Sequence, residues 1–430
     1  MTEWDLSPPP PSDLGDHDVP QEGHLLDGKR VALMVTGGIA AFKAPIIARA
    51  LRRHGAEVVA FLSEEGARYV TTDSLEWSTT HPVVTRLTAN AEHLSDSEPF
   101  DAYLVAPATY NTINKLALGI ADTAITSSLA SALGRMEHSR EHSQQEGGVV
   151  RPQILVAATM HGTLHNSILT GSLQRLRDLG VRLVPPREDY GKHNIPDEDA
   201  LVAEVCRAVS ESPLRGRRIL VTGGPTPVPI DSVRRLTNRF RGTLGTLIAE
   251  ELWRRGADSH LILGGGAYRP PDWLPHEMVA TYDDYLERVM AMLGEGADNG
   301  SGFEAGVFSA AVADYRPKEV LEGKTPSGGA LQTLELVPTK KVTREVAQAF
   351  PKLHRVTFKY EEGVSHEELI DIAHRRVEDG HGAVVANRGE EMTADHVAWL
   401  VTADREPRRM VGKREIARVL ADHLERILGG

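Results

Sequence analysis

The 430-residue chain has one cysteine, Cys206. A disulfide framework and a cysteine-built zinc site are therefore excluded, and Cys206, inside the helix-like "ALVAEVCRAVSES", is expected to be a small core residue. No apolar run approaches the roughly 20 residues that a bilayer-spanning helix needs. Positive charge is short as well: 48 Lys and Arg stand against 60 Asp and Glu, a net charge of -12. That balance disfavours nonspecific binding to nucleic acid or to a membrane surface. Residues 1–27 are acidic and proline-rich, without a basic n-region or apolar h-region, so they are not a secretory signal. They are expected to be a disordered leader on a cytoplasmic chain. Histidine-rich metal spacing is also missing. The polar stretch 134–152, "GRMEHSREHSQQEGGVVRP", carries His138 and His142 with no matching carboxylate or further His, and is expected to be a surface insertion with no metal.

What the chain does have is length for two or three cores, at roughly 150 residues per domain, and 41% hydrophobic residues. It also writes one pattern twice. "RVALMVTGG" at 30–38 is an apolar run closed by glycines and followed by the helical "IAAFKAPIIARALRRHG"; "RRILVTGG" at 217–224 repeats it. Further apolar runs follow each opening: "AEVVAFLS", "DAYLVAPAT", "QILVAATM" and "VRLVPP" in the first half, and "DSHLILGGG", "GVFSAAVADYRP", "VTFKYEE" and "GAVVANR" in the second. Strands alternating with helices predict two doubly wound, parallel-sheet α/β domains, Rossmann-like, over 28–212 and 213–430. A long helix is expected within "SVRRLTNRFRGTLGTLIAEELWRRGA".

In such sheets ligands lie beyond the C-terminal strand ends, where helix N-termini offer free amides to phosphate. Thr36-Gly37-Gly38 and Thr222-Gly223-Gly224 stand at that edge. Neither turn reads as a dinucleotide or Walker fingerprint. Additional polar residues cluster in "APATYNTINKLALGIAD", at the next strand-to-helix turn.

"VTGGIAAFKAP", "FLSEEG" and "LVAPATYNTINKLALGIAD" resemble the phosphopantothenoylcysteine decarboxylase family of flavoproteins. "ILVTGGPTPVPIDSVRRLTN", "AAVADYRPKEVLEGK" and "LELVPT" resemble phosphopantothenate–cysteine ligases. In that order, over about residues 28 to 425, the chain resembles the fused bifunctional Dfp (CoaBC) type of coenzyme A biosynthesis. The resemblance implies a flavodoxin-like first domain that holds FMN between subunits. It also implies a ligase domain that uses a nucleoside triphosphate, usually CTP, with Mg²⁺, to join phosphopantothenate to cysteine. A homo-oligomer is implied as well.

Residue by residue, the resemblance implies that His93, eight positions before Asp101, is the decarboxylase base. It places FMN on Gly37, Gly38, Ser63, Ala108, Thr109 and Asn111. In the ligase half it implies Lys324, ten residues after Asp314, as the essential lysine, with Arg234 and Asn238 in catalysis and Asp231 beside them at the substrate. Ala310, Asp314 and Phe358 are expected at the nucleotide. The chain departs from the family at several positions. His161 stands where the family has an Asn that holds the substrate carboxylate. "PPREDYGKHNIPDED" lacks the flap cysteine. Phe240-Arg241-Gly242-Thr243 replaces Ser-Ser-Gly-Lys, with Arg241 offering a planar fork to substrate phosphate. These changes sit at substrate anchors and keep open a paralogue acting on another acid and amine, or stopping at an oxidised product. A non-catalytic FMN-binding regulator is disfavoured by the joint presence of His93, Arg234, Asn238 and Lys324.

Lys324→Ala is predicted to abolish acyl-nucleotide formation while flavin content, read from the visible absorbance, stays at the wild-type level. Wild-type ligation in that variant contradicts the assignment.

Overall fold

The computed structural model describes residues 5–94, 98–146, 150–266, 268–297, 300–324, 333–391 and 396–429. It divides into two compact units, Met1–Glu211 and Ser212–Gly430.

The first unit is built on a parallel sheet of β1 (Arg30–Val35), β2 (Glu57–Leu62), β3 (Ala102–Ala108), β4 (Gln153–Ala158) and, beyond the two-residue β5 (Met160–His161), β6 (Arg182–Val184). The order is β2-β1-β3-β4-β6, and all four pairings are parallel. Its helices are α1 (Ala44–Arg52), α2 (Thr72–Thr79), α3 (Tyr110–Leu118), α4 (Ala124–Glu146), α5 (Ser167–Asp178) and α6 (Glu198–Val209). Because side chains alternate across a strand, Val31, Leu33 and Val35 of β1 pack with α1, α2 and α6, while Ala32 and Met34 pack with α3, α4 and α5. Both faces are covered, which explains why the strands read as continuous apolar runs. β5 joins a small antiparallel sheet with β7 (Arg187–Asp189) and β8 (Lys192–Asn194), in the order β5-β8-β7.

The second unit has β9 (Arg218–Gly223), β10 (Val228–Pro229), β11 (Arg235–Leu236), β12 (Asp258–Gly264), β13 (His276–Val279), β14 (Ala305–Phe308), β15 (Tyr315–Pro317), β16 (Leu336–Pro338), β17 (His354–Glu361), β18 (Ala383–Arg388), β19 (Val397–Val401) and β20 (Arg408–Val411). Its main sheet runs β13-β12-β9-β14-β17-β18-β19-β20. Helices α7 (Thr243–Arg254) and α11 (Lys413–Leu428) cover one face, and α8 (Tyr282–Gly294) and α9 (Val342–Ala349) cover the other. Helix α10 (His366–Glu378) packs on β18.

Three features differ from the sequence expectations. The sheet of the second unit is not wholly parallel, since β19 and β20 close it as an antiparallel edge. Residues 134–146, expected as an insertion, continue α4, and Met136 is buried in the core. The leader is pinned over its second half: Leu26 is fully buried, Glu22 N–H donates to the Arg53 carbonyl at 2.8 Å, and Arg52 donates to the His17 carbonyl at 3.0 Å. The long helix expected within residues 232–257 is α7, which starts at Thr243. Asp231 Oδ1 captures the Val233 and Arg234 amides at 2.8 and 2.7 Å, a side-chain turn that competes with helix, and Gly242 at φ 84 caps α7. Cys206 is buried in α6, as expected.

At the start of β17, His354 and His423 of α11 face each other through their Nε2 atoms at 3.0 Å. Arg426 Nη2 lies 3.3 Å from His423 Nδ1. A guanidinium only donates, so Nδ1 accepts and the His423 proton sits on Nε2. Burial first, then the neighbouring His354 and Arg426, push the His423 imidazole down to about 4, and burial lowers His354 as well. A histidine whose folded value lies below the unfolded value of about 6.5 stabilises fully above that pH and loses the contribution as pH falls. Between pH 6.5 and 5, the unfolding transition of the second unit is predicted to lose about 2 kcal/mol from His423, measured by denaturant unfolding of the full chain. His423→Phe flattens that dependence, and an equal slope in both proteins contradicts the assignment.

Candidate functional site

In the first unit the ends of β2, β1 and β3 make one polar edge. Thr36, 3% exposed, donates from Oγ1 to the Pro107 carbonyl at 2.6 Å and accepts the Thr109 N–H at 3.4 Å. Ser63 N–H donates to the Val35 carbonyl at 3.0 Å, and its Oγ accepts the Gly66 N–H at 3.0 Å. Thr109 caps α3 by accepting the Thr112 N–H at 3.4 Å. At Gly37 a Cβ would come within 2.4 Å of Glu65 Cβ, so only glycine fits unless Glu65 shifts. At Gly38 a Cβ would meet Pro107 and Thr109 at 3.5 Å, ordinary contact, so this glycine keeps the edge open. Gly37, Gly38, Ser63, Ala108 and Thr109 thus lie along three adjacent strand ends, with Asn111 exposed on the first turn of α3. The first-turn amides of α3 and the glycine edge suit a phosphate-bearing cofactor.

His93 stands in the turn after Ala91, on a segment that leaves the sheet from Val84, which pairs with Phe61 of β2. Its Nδ1 is buried without a hydrogen-bond partner among the described residues. No hydrogen bond described here joins it to the Thr36–Thr109 cluster.

His161 opens the loop after β5. Its Nδ1 lies 2.9 Å from Thr163 Oγ1 and accepts the Thr163 N–H at 3.2 Å. Because a backbone N–H only donates, the neutral ring carries its proton on Nε2, directed away from that turn. This is a donor comparable to the side-chain amide of asparagine, and it needs no positive charge. Nearby, β7 and β8 form a two-residue hairpin through Tyr190 and Gly191, at φ 53 and 66. Tyr190 at its tip is 88% exposed.

In the second unit the equivalent edge is tighter. Ser309 Oγ donates to the Thr222 carbonyl at 2.6 Å, and Tyr285 OH donates to Thr222 Oγ1 at 3.0 Å. Gly224, at φ 73, accepts the Ala311 N–H at 2.8 Å. A Cβ on Gly245 would come within 3.0 Å of Gly223 Cα and the Thr222 carbonyl, so the N-terminus of α7 rests directly on the glycine turn. Asn238 Nδ2 donates to the Ala311 carbonyl at 2.7 Å, tying it to the loop that carries Ala310 and Asp314.

The Asp231 side chain is fully buried and holds Arg234 Nη1 at 3.1 Å. Ser232 N–H donates to the Gly323 carbonyl at 3.3 Å, and Leu321 N–H to the Ile230 carbonyl at 3.0 Å. These two bonds bring exposed Lys324 beside Asp231 and Arg234, although 90 residues of chain separate Lys324 from Arg234. Arg241 is exposed at the entrance to α7. Phe358 lies mid-strand against the core, where its carbonyl accepts Arg376 Nη1 at 3.2 Å. Sequence reasoning passed over Arg376 and Lys341; the latter holds Asp314 Oδ1 at 2.5 Å. The available signal was the Lys-Lys pair in "LELVPTKKV", at a strand-to-helix turn. Among the described residues no cluster of three or more metal-ligating side chains occurs, and no helix is long and apolar enough to cross a membrane.

Residues 20–210 match the family described as Flavoprotein, and residues 214–428 match the DNA/pantothenate metabolism flavoprotein C-terminal domain. The two units therefore define a two-part flavoprotein of pantothenate metabolism. The chain is 34% identical over 414 residues to the coenzyme A biosynthesis bifunctional protein CoaBC of Thermococcus kodakarensis, covering 94% of this chain and 96% of that one. It is 28% identical to the CoaBC proteins of Methanocaldococcus jannaschii, over 82% of this chain and 81% of that one, and of Bacillus subtilis, over 75% and 78%. The chain belongs to the CoaBC family of bifunctional coenzyme A biosynthesis proteins. Among solved structures it is similar to the DNA/pantothenate metabolism flavoprotein from Streptococcus pneumoniae, at TM-score 0.44 and 26% identity over 49% of this chain and all of that one.

Thr36→Val keeps the shape of the side chain and leaves the Pro107 carbonyl unpartnered. It is predicted to cost roughly 1–3 kcal/mol in the first unit and to lower flavin retention on gel filtration. Retention and stability both at the wild-type level contradict the bracing role of Thr36.

Proposed function

We propose that this enzyme of coenzyme A biosynthesis joins phosphopantothenate to cysteine at the second unit, with CTP and Mg²⁺, and decarboxylates the product at the first unit with FMN. The observation that carries the ligase assignment is the convergence of the Asp231–Arg234 turn with the segment that carries Lys324, while Asn238 is tied to the loop that closes onto Gly224. The substrate carboxylate attacks the α-phosphorus of CTP and pyrophosphate leaves. The cysteine amine then attacks the acyl carbon, and CMP leaves as the amide forms. Both transition states gather negative charge on phosphate and acyl oxygens, and fixed cations and amides lower that cost. Lys324 supplies the mobile cation, Arg234 is oriented by buried Asp231, and Asn238 is held on the Ala311 carbonyl. Mg²⁺ would be held by the nucleotide's own phosphates with help from a carboxylate.

In the first unit, FMN would lie along Gly37, Gly38, Ser63, Ala108, Thr109 and Asn111, with its phosphate toward the amides of α3. When bound, the flavin supplies the redox chemistry that makes carbon dioxide loss possible. His161 donates Nε2–H to the substrate carboxylate in its neutral form. His93 moves the proton, and in a homo-oligomer a second copy would bring its His93 to the flavin edge. Such an enzyme works in the cytoplasm. A second reading, release of the oxidised enethiol without its reduction, is favoured by the hairpin tip, which carries Tyr190-Gly191 and no thiol.

His93→Asn is predicted to let phosphopantothenoylcysteine accumulate while decarboxylation falls by roughly 100-fold or more, followed by mass spectrometry of a reaction containing phosphopantothenate, cysteine and CTP. Decarboxylation at the wild-type rate in that variant removes His93 from the mechanism. A final product two hydrogens lighter than phosphopantetheine in the wild type selects the second reading.

A further inference from the structure

The second unit holds a cation that the chemistry above leaves unused. Lys341 stands immediately before α9, with Nζ 2.5 Å from Asp314 Oδ1. The backbone beneath it is fixed on three sides. Thr339 N–H donates to the Asp314 carbonyl at 2.9 Å, Thr339 Oγ1 donates to the Ala313 carbonyl at 2.5 Å, and Tyr282 OH donates to the Lys340 carbonyl at 2.7 Å. The turn at 338–341 and the loop at 309–314 are therefore one braced piece. That loop also accepts Asn238 and closes onto Gly224.

The charges around this piece are mostly committed. Lys359 pairs with Glu361 at 2.5 Å, Lys340 faces Glu345 at 3.8 Å, and Arg316 faces Asp283 at 3.5 Å. Arg376 donates to the Phe358 carbonyl. Lys341 is committed to a carboxylate three residues beyond Ala311, whose N–H closes the same loop onto Gly224. Lys341 and Asp314 remain 62% and 64% exposed, so the pair contributes little to stability. A weak, exposed pair exchanges readily for a partner of higher charge, and a lysine, as a flexible point charge, suits phosphate oxygens.

We infer that Lys341 is a phosphate-binding residue for the nucleoside triphosphate, neutralising Asp314 until the nucleotide arrives and then trading that carboxylate for the nucleotide's terminal phosphates. The inference rests on the reading of the second unit as nucleotide-dependent. It distinguishes Lys341 from a residue that only positions Asp314, because a phosphate contact is felt by a triphosphate and not by a monophosphate.

The test is calorimetric titration of the full-length wild type, Lys341→Met and Lys341→Arg with CTP and with CMP. Lys341→Met is expected to weaken CTP about tenfold, the loss of one charged contact, with CMP binding unchanged and Lys341→Arg restoring most of the CTP affinity. Equal weakening of CTP and CMP, or no weakening of either, overturns the phosphate contact while leaving the nucleotide site in place. A wild type that binds neither nucleotide overturns the underlying reading as well. Unchanged CMP affinity in Lys341→Met also shows that the variant is folded.

Discussion

A hydroxyl that donates to the carbonyl of a neighbouring strand braces the glycine edge of each unit. In the first unit it is Thr36, bonded to Pro107; in the second it is Ser309, bonded to Thr222, each at 2.6 Å. Both bonds lie where a parallel sheet runs out of ladder partners and glycine turns begin. Without the Thr36 bond the Pro107 carbonyl loses a buried partner, whereas the Thr222 carbonyl loses one of two, since it also accepts the Ser309 N–H at 3.2 Å. With them, the glycine edges and the adjoining helix N-termini are rigid before any ligand binds. Preorganisation of that kind is what makes amide donors effective against developing charge.

Around these rigid edges the charged side chains are held more loosely, and this division suits the proposed chemistry. Asp231 is fully buried and orients Arg234, whereas Lys324 and Lys341 remain exposed. In the proposed reaction the fixed residues would define where a substrate carboxylate and phosphate sit, and the exposed lysines would follow charge as it moves between acyl and phosphoryl oxygens. In the first unit the same logic appears in His161. Its tautomer is set by the Thr163 backbone N–H, so a ring that differs from asparagine in shape still offers one outward donor.

Much of this was legible in the sequence where the physics is local. Continuous apolar runs ending in Thr-Gly-Gly marked strands buried on both faces, and the sheet edges lie where those glycines fall. Helix α7 lies within the stretch expected to carry it, but its start at Thr243 was not legible, because Asp231 holds the Val233 and Arg234 amides in a turn that is visible only once the side chain is placed. The 134–146 stretch reads as polar because, among its described side chains, which cover 134–141, Met136 is the one buried in the core. Leu26 gave no periodic signal, yet it anchors the leader. The pairing of Lys341 with Asp314, like the approach of Lys324 to Asp231, joins segments far apart in the chain, and spacing alone carries no such information. The resemblance supplied roles for single residues; the geometry supplied which of them meet.

The central claim is that one chain performs condensation and then decarboxylation, in that order. It is tested most directly with cysteine labelled with carbon-13 at its carboxyl group, incubated with the purified protein, phosphopantothenate and CTP, while labelled carbon dioxide and CMP are measured together. The account predicts labelled carbon dioxide only when CTP and phosphopantothenate are both present, in amounts that do not exceed CMP. Labelled carbon dioxide released from cysteine without CTP, or CMP formed with no carbon dioxide at any time, contradicts it.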